Sequence, residues 1–82
     1  MTNNILRTKV REVIMQAFEM KENDALDNLD VDSVEAWDSL GHMMLMEKLE
    51  LEFNLELSHS ETVSMLSEDS IVEAILAKAN SN

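Results

Sequence analysis

The chain has 82 residues, with 17 acidic against 6 basic side chains and a formal net charge of −11. This length predicts one domain, 1–82, with ends that fray at about 1–3 and 80–82. The charge argues against nucleic acid as a partner, because phosphate binding needs clustered Lys and Arg. Either the acidity only aids solubility, or it attracts a protein partner with a basic surface.

The chain contains no cysteine, so neither a disulfide nor a thiolate metal site is available to it. That composition suits a reducing compartment. The N-terminal segment has no apolar run of signal-peptide type, and no stretch approaches the roughly 20 apolar residues of a membrane span. We therefore expect a soluble, cytoplasmic and monomeric protein.

Helix is favoured along most of the chain, because proline is absent and Gly41 is the only glycine. Apolar residues recur with helical period over 5–20 and predict a first helix there. The segment 21–38 is rich in Asp and Asn, which compete with helix by bonding nearby backbone, and it predicts a long loop. A loop of this length in a small domain is often functional.

Three more helices are predicted after this loop. The second should run from 39 to 53 or 54. Ser58 and Glu61 have the spacing of a capping box and predict a short third helix over 58–65. Ser67 is a suitable N-cap for a last helix over 68–79. The predicted fold is a small all-α four-helix bundle of three longer helices, a short third helix and a long first loop.

The second helix carries apolar residues on two sides. Its core stripe consists of Leu45, Met46, Leu49 and Phe53. A second set lies away from this stripe and is mixed with acids: Leu40, Met43, Met44 and Leu51, with Glu47 and Glu50. A three-helix core cannot easily cover both sides, so the second set predicts an exposed contact surface. The alternative is that the loop covers Met43 or Leu40.

Ser39, at the start of the second helix, has three possible roles. It can serve as a simple N-cap, the commonest role of serine at this position. As a catalytic nucleophile it would need a base and an oxyanion site, and only His42 and His59 offer imidazoles, with no G-x-S-x-G elbow. Covalent modification by a phosphate-linked group is the third role, since free N–H groups and a positive dipole lie at a helix N-terminus.

The loop acids resemble the start of a calcium loop, with Asn28, Asp30 and Asp32 at alternating positions. The sixth position is Ser33 rather than glycine, and the twelfth is Ser39 rather than glutamate. A solvated loop with helix-capping acids is therefore favoured over a calcium site, and we expect no metal.

Two other side chains near Ser39 are candidates for structural roles. Trp37 is expected to pack the loop onto the bundle, with a ligand entrance as the alternative. His42 is expected to be structural or solvent-facing, because no companion ligands stand at metal spacing.

The triplet Asp38-Ser39-Leu40, opening an acidic helix that ends in Glu52-Phe53, resembles the D-S-L motif of acyl carrier proteins. The resemblance extends over nearly the whole chain. The first helix, the acidic loop, the D-S-L helix, the segment NLELS leading into a short third helix, and the final amphipathic helix follow the family's order and spacing.

This resemblance implies that Ser39, between Asp38 and Leu40, carries 4′-phosphopantetheine. A separate magnesium-dependent phosphopantetheinyl transferase would donate the group from coenzyme A, and its thiol would hold an acyl or aminoacyl thioester. The protein itself would not be an enzyme. Its second helix would dock an acyl-loading ligase or transferase and downstream enzymes through Leu40, Met43, Met44, Glu47, Glu50 and Leu51. A cargo cavity would be lined by Leu45, Met46, Leu49, Phe53, Met65 and Ile71.

The chain departs from the pattern of fatty-acid-synthesis carriers at three positions. Gly41, Met44 and Val63 stand where acids are common in those proteins. The context WDSLGHM is more similar to stand-alone carriers of specialised pathways: polyketide or nonribosomal products, or saccharide or lipid modification. The primary fatty acid role stays open, as does an unmodified acidic helical adaptor for a basic protein. Gly41 is expected to permit close approach of a partner or of the phosphopantetheine arm.

Overall fold

The computed structural model describes residues 2–21 and 29–79. Within these ranges the chain forms four helices and no strand: α1 Thr2–Ala17, α2 Ser39–Phe53, α3 His59–Thr62 and α4 Glu68–Ala79. The predicted all-α four-helix bundle is thereby confirmed. In the same ranges, no helix combines the length and apolar character needed to cross a membrane.

Helix α1 begins and ends three residues earlier than the predicted 5–20. It stops at a Schellman turn, in which Glu19 N–H donates to the Gln16 carbonyl at 3.2 Å and Met20 N–H to the Met15 carbonyl at 2.8 Å. Glu19 takes the left-handed conformation, with φ 53°. Because glycine and asparagine are the usual residues at such a position, the sequence carries no stop signal there.

The core lies where α2 and α4 pack against α1. The predicted stripes of α1 and α2 contribute to it, as do three side chains of the loop and one that follows α3. The largest fully buried side chains are Val10, Ile14, Leu29, Leu45, Leu49, Met65 and Ile71. Burying each of them contributes on the order of 1.5–3 kcal/mol to the stability of the bundle.

The second half of the long loop is tied to the start of α4. Val31 N–H donates to the Leu66 carbonyl at 3.1 Å, and Glu68 N–H donates to the Leu29 carbonyl at 2.7 Å. Leu29 and Val34 are buried, as predicted for loop anchors. Of the other two residues predicted as anchors, Val31 is half-buried and Leu26 lies outside the described residues. These contacts fix the approach of the chain to α2.

Helix α3 is capped as predicted but is shorter than 58–65. Ser58 Oγ accepts from Glu61 N–H at 3.2 Å, and Glu61 Oε1 accepts from Ser58 N–H at 2.7 Å. The pKa of Glu61 is lowered, first by this backbone N–H and then by Lys78, 3.1 Å away. Beyond Thr62 the chain tightens into turns that bring Met65 into the core, which is why the helix ends early.

Ion pairs join α1 to its neighbours. The carboxylate of Glu68, at the first position of α4, accepts from Arg7 at 3.0 Å and from Arg11 at 2.5 Å. Only 5% of Glu68 is exposed. Arg7 also contacts Asp69 at 2.7 Å. Lys9 pairs with Glu52 of α2 at 2.9 Å, and its pKa is raised chiefly by that hydrogen bond. These basic side chains of α1 therefore bind acids of the same chain and link α1 to α2 and α4.

Candidate functional site

The N-cap of α2 is Asp38, and Ser39 is the first residue inside the helix. Asp38 is extended, with φ −101° and ψ −168°, and its Oδ1 accepts from Gly41 N–H at 2.9 Å. Its carbonyl accepts from His42 N–H at 2.7 Å. The cap role considered for Ser39 thus belongs to Asp38, whose side chain satisfies a free N–H group of the first turn. Such a cap stabilises a helix by about 1 kcal/mol.

Because Asp38 caps the helix, the side chain of Ser39 is free for another role. Ser39 is exposed. Within the described part of the chain its hydroxyl makes no hydrogen bond. It lies at the positive end of a 15-residue helix, where unpaired N–H groups favour an anion. The geometry suits an ester-linked phosphate on this oxygen.

The segment before Ser39 is held in place by Trp37. The indole is 3% exposed, and its ring lies 5.5 Å from that of Phe18 at the end of α1. Trp37 Nε1 donates to Nδ1 of His42 at 3.0 Å, and Nε2 of His42 bonds the Thr62 carbonyl at 2.8 Å. The predicted packing role of Trp37 is confirmed. Both nitrogens of His42 are engaged away from Ser39, so this imidazole is not placed as a base for it.

Gly41 is required by packing within the chain. A Cβ here would collide with the Ala36 carbonyl oxygen, and it would lie 2.9 Å from Cε1 of Phe18 and 3.3 Å from Oδ1 of Asp38. The space expected for a partner or an arm is thus taken by the protein's own loop and α1. No sequence pattern reports this contact, because it depends on tertiary structure.

Replacing Gly41 with alanine should lower the free energy of unfolding by about 1–2 kcal/mol, because the clash with loop backbone exceeds the gain of about 1 kcal/mol in helix propensity. Thermal denaturation followed by circular dichroism measures this loss of stability. Met43→Ala, an exposed change in the same turn, is the control and should fall within about 0.5 kcal/mol of wild type. A Gly41→Ala chain that melts above wild type contradicts this packing argument.

The outer face of α2 is apolar and acidic. At about 100° per residue, six side chains fall within an arc of about 120° opposite Leu45 and Leu49; this α2 outer face consists of Leu40, Met43, Met44, Glu47, Glu50 and Leu51. Its four apolar members are between 48% and 84% exposed. The exposed surface predicted from the sequence is therefore present, and the loop covers neither Met43 nor Leu40.

Glu50 has a structural role in addition to its place on this face. Its Oε2 accepts from the Leu57 N–H at 2.9 Å, which holds the connection between α2 and α3 against α2.

Two further apolar residues, Val63 and Leu66, are exposed after α3. The sequence prediction enclosed Val63 in a longer third helix and had no signal for its exposure.

The residues expected to line a cargo cavity lie in the core or pack against it. Leu45, Met46, Leu49, Met65 and Ile71 are buried, and Phe53 is half-buried. Phe53 borders a cleft of about 680 Å³ with Leu6 and Leu76, at the opposite end of α2 from Ser39. At 1.5 Å per residue the two ends of α2 are about 21 Å apart, so this cleft is a separate feature from the serine.

Of the loop acids, Asp30 caps a turn. Oδ1 of Asp30 accepts from the N–H groups of Asp32 at 3.0 Å and Ser33 at 2.8 Å. Over residues 2–21 and 29–79, no three His, Asp or Glu side chains lie close enough together to hold a metal ion. Asn28, the first of the three candidate calcium ligands, lies outside the described residues.

Comparison with known proteins adds no relatives: no family model matches the chain, and no curated protein matches it significantly. The assignment of function therefore depends on the residues and their geometry.

Proposed function

We propose that the chain is an acyl carrier protein whose Ser39 is the attachment point of 4′-phosphopantetheine. The observation that supports this most directly is the division of roles at the start of α2. Asp38 caps the helix, and the neighbouring serine hydroxyl is exposed and unbonded among the described residues. When bound, the group supplies a thiol that holds an acyl or aminoacyl chain as a thioester.

The residues around Ser39 fit a phosphodiester. Ser39 Oγ forms the new bond to the pantetheine-bearing phosphorus of coenzyme A, and the pyrophosphate P–O bond to the other phosphate breaks, so that 3′,5′-ADP leaves. The hydroxyl proton passes to the transferase, which also supplies magnesium. The N–H groups at the start of α2 favour the negative charge that then lies on the serine. Trp37 and Gly41 pack the adjacent backbone against Phe18, so the attachment point has a fixed position.

The α2 outer face is the proposed docking surface for the transferase, an acyl-loading ligase or transferase, and downstream acyl-processing enzymes. Carriers need partners that bind and leave quickly. A small apolar patch limits affinity, while acids such as Glu47 speed the encounter with a basic partner surface. The context of the D-S-L motif favours a stand-alone carrier of a specialised pathway over primary fatty acid synthesis.

The proposal is tested by weighing the intact wild-type chain after co-expression with a broad-specificity phosphopantetheinyl transferase. The expected mass gain is that of one phosphopantetheine. A chain that stays unmodified while a known carrier in the same cells is modified contradicts the proposal. The adaptor alternative predicts binding to a basic protein by the unmodified chain, and binding that survives Ser39→Ala.

The docking surface is tested with Met44→Glu and Glu47→Lys. Each change should lower kcat/KM of the transferase for this chain about tenfold, which corresponds to about 1.4 kcal/mol of lost contact. Both positions are exposed, so the helical circular dichroism signal should persist. Glu73→Lys, the same charge reversal at an exposed position of α4, is the matched control and should leave turnover unchanged. Equal turnover of all three variants and wild type would remove the α2 outer face as the docking site.

A further inference from the structure

The hydrogen bonds of His42 define its protonation state. The indole N–H of Trp37 is only a donor, so Nδ1 of His42 accepts from it across 3.0 Å. The Thr62 carbonyl is only an acceptor, so Nε2 of His42 carries the hydrogen across 2.8 Å. The ring is therefore the neutral Nε2–H tautomer. One imidazole thus joins the loop, α2 and α3.

Adding a proton to His42 disrupts its hydrogen bond with Trp37. Protonated imidazole carries N–H on both nitrogens, so Nδ1 becomes a donor that faces the donor of Trp37. The Nε2 bond to Thr62 is compatible with either state. Since Trp37 is 3% exposed, its N–H cannot turn to water without moving the indole out of its site.

Two carboxylates on the elements that His42 joins have partners of their own. The carboxylate of Asp38, which precedes α2, accepts from Gly41 N–H. On α3, the carboxylate of Glu61 is bound to Ser58 N–H and to Lys78. The other imidazole, His59, is exposed. Among the described residues, the indole N–H of Trp37 donates to Nδ1 of His42 and to no other acceptor.

We propose that His42 is an acid-sensitive latch. In its neutral form it fixes Trp37, and with it the backbone leading to Ser39, against α2 and α3. Uptake of one proton by the imidazole turns Nδ1 into a donor and thereby releases the indole. The consequence that Ser39 is then presented less rigidly rests on the proposed carrier function; the latch itself does not.

Trp37 is the only tryptophan, so its fluorescence and its indole N–H resonance report on the latch directly. The full-length unmodified chain is titrated from pH 8 to pH 5 as wild type, His42→Gln and His59→Gln. Glutamine supplies one acceptor and one donor without titrating, so His42→Gln should keep the emission of the high-pH form and lose the transition. Wild type and His59→Gln should both show a one-proton change in emission, with several-fold faster solvent exchange of the indole N–H at low pH.

Nitrogen-15 spectra of the wild-type histidines provide a measurement that does not depend on any variant folding. They should show His42 with hydrogen on Nε2 alone at pH 8. The Nδ1–H tautomer, a transition that persists in His42→Gln, or no transition in wild type would each overturn the proposal. Because no transferase is used, these results are independent of whether Ser39 accepts phosphopantetheine.

Discussion

A Ser39→Ala chain is expected to remain entirely unmodified when it is co-expressed with a phosphopantetheinyl transferase, while it folds like wild type. The modification needs the hydroxyl oxygen of Ser39, and alanine has no oxygen at this position of α2. The fold does not need that oxygen, because Asp38 rather than Ser39 caps the helix and the serine is exposed. The cost in stability should stay within about 0.5 kcal/mol. Intact-mass spectrometry and thermal denaturation measure the two effects.

The matched control is Ser33→Ala, which removes an exposed hydroxyl from the loop six positions earlier. This variant should gain one phosphopantetheine, as is expected of wild type. A Ser39→Ala chain that still gains that mass would place the attachment elsewhere and refute the assignment of Ser39. A variant that loses both its modification and its melting transition would show that Ser39 contributes to folding, against the division of roles with Asp38.

The largest expected loss of stability comes from Glu68→Gln, which should lower the free energy of unfolding by about 2 kcal/mol. Glu68 is buried and accepts charge-assisted hydrogen bonds from Arg7 and Arg11, each worth about 1.5–3 kcal/mol. The glutamine amide keeps one acceptor oxygen. Both arginines are partly exposed and can bond water instead. The expected loss of stability is therefore smaller than the sum of the two hydrogen-bond energies. For a domain of this size the melting temperature should fall by roughly 10 °C.

Asp69→Asn is the control for this prediction, because it removes a carboxylate that also contacts Arg7. Asp69 is 72% exposed in its side chain, and exposed ion pairs contribute about 0–1 kcal/mol. Chemical denaturation of both variants should therefore show a clearly larger effect for Glu68→Gln. Equal losses of stability in the two variants would mean that burial does not strengthen the interaction of Glu68 with the arginines.

The sequence predicts best where local chemistry decides the structure. Helix α2 has the predicted limits because Asp38 can cap its first turn and Asn54 accepts a left-handed conformation, with φ 51°, after its last. Ser58 and Glu61 form the predicted capping box for the same reason. Glu19 gave no such signal, so the end of α1 was placed three residues too late.

The same distinction, between features set by nearby residues and features set by tertiary packing, applies to the candidate site. Ser39 and the α2 outer face follow from a motif and from helical spacing, both of which are properties of nearby residues. The link from Trp37 through His42 to Thr62 joins residues up to 25 positions apart and depends on where α3 packs. The contact of Gly41 with Ala36 and Phe18 likewise depends on tertiary structure, so periodicity could not reveal it.

The ion pairs of α1 give the molecule an uneven electric field. They neutralise acids on α2, such as Glu52, and on α4, such as Glu68. Among the described residues, the carboxylates of Glu47 and Glu50 take part in no such pair. The acids on the α2 outer face therefore keep their negative charge, whereas the acids that pair with α1 are neutralised. A positively charged enzyme would turn this face toward itself before contact, which raises the fraction of collisions that are productive.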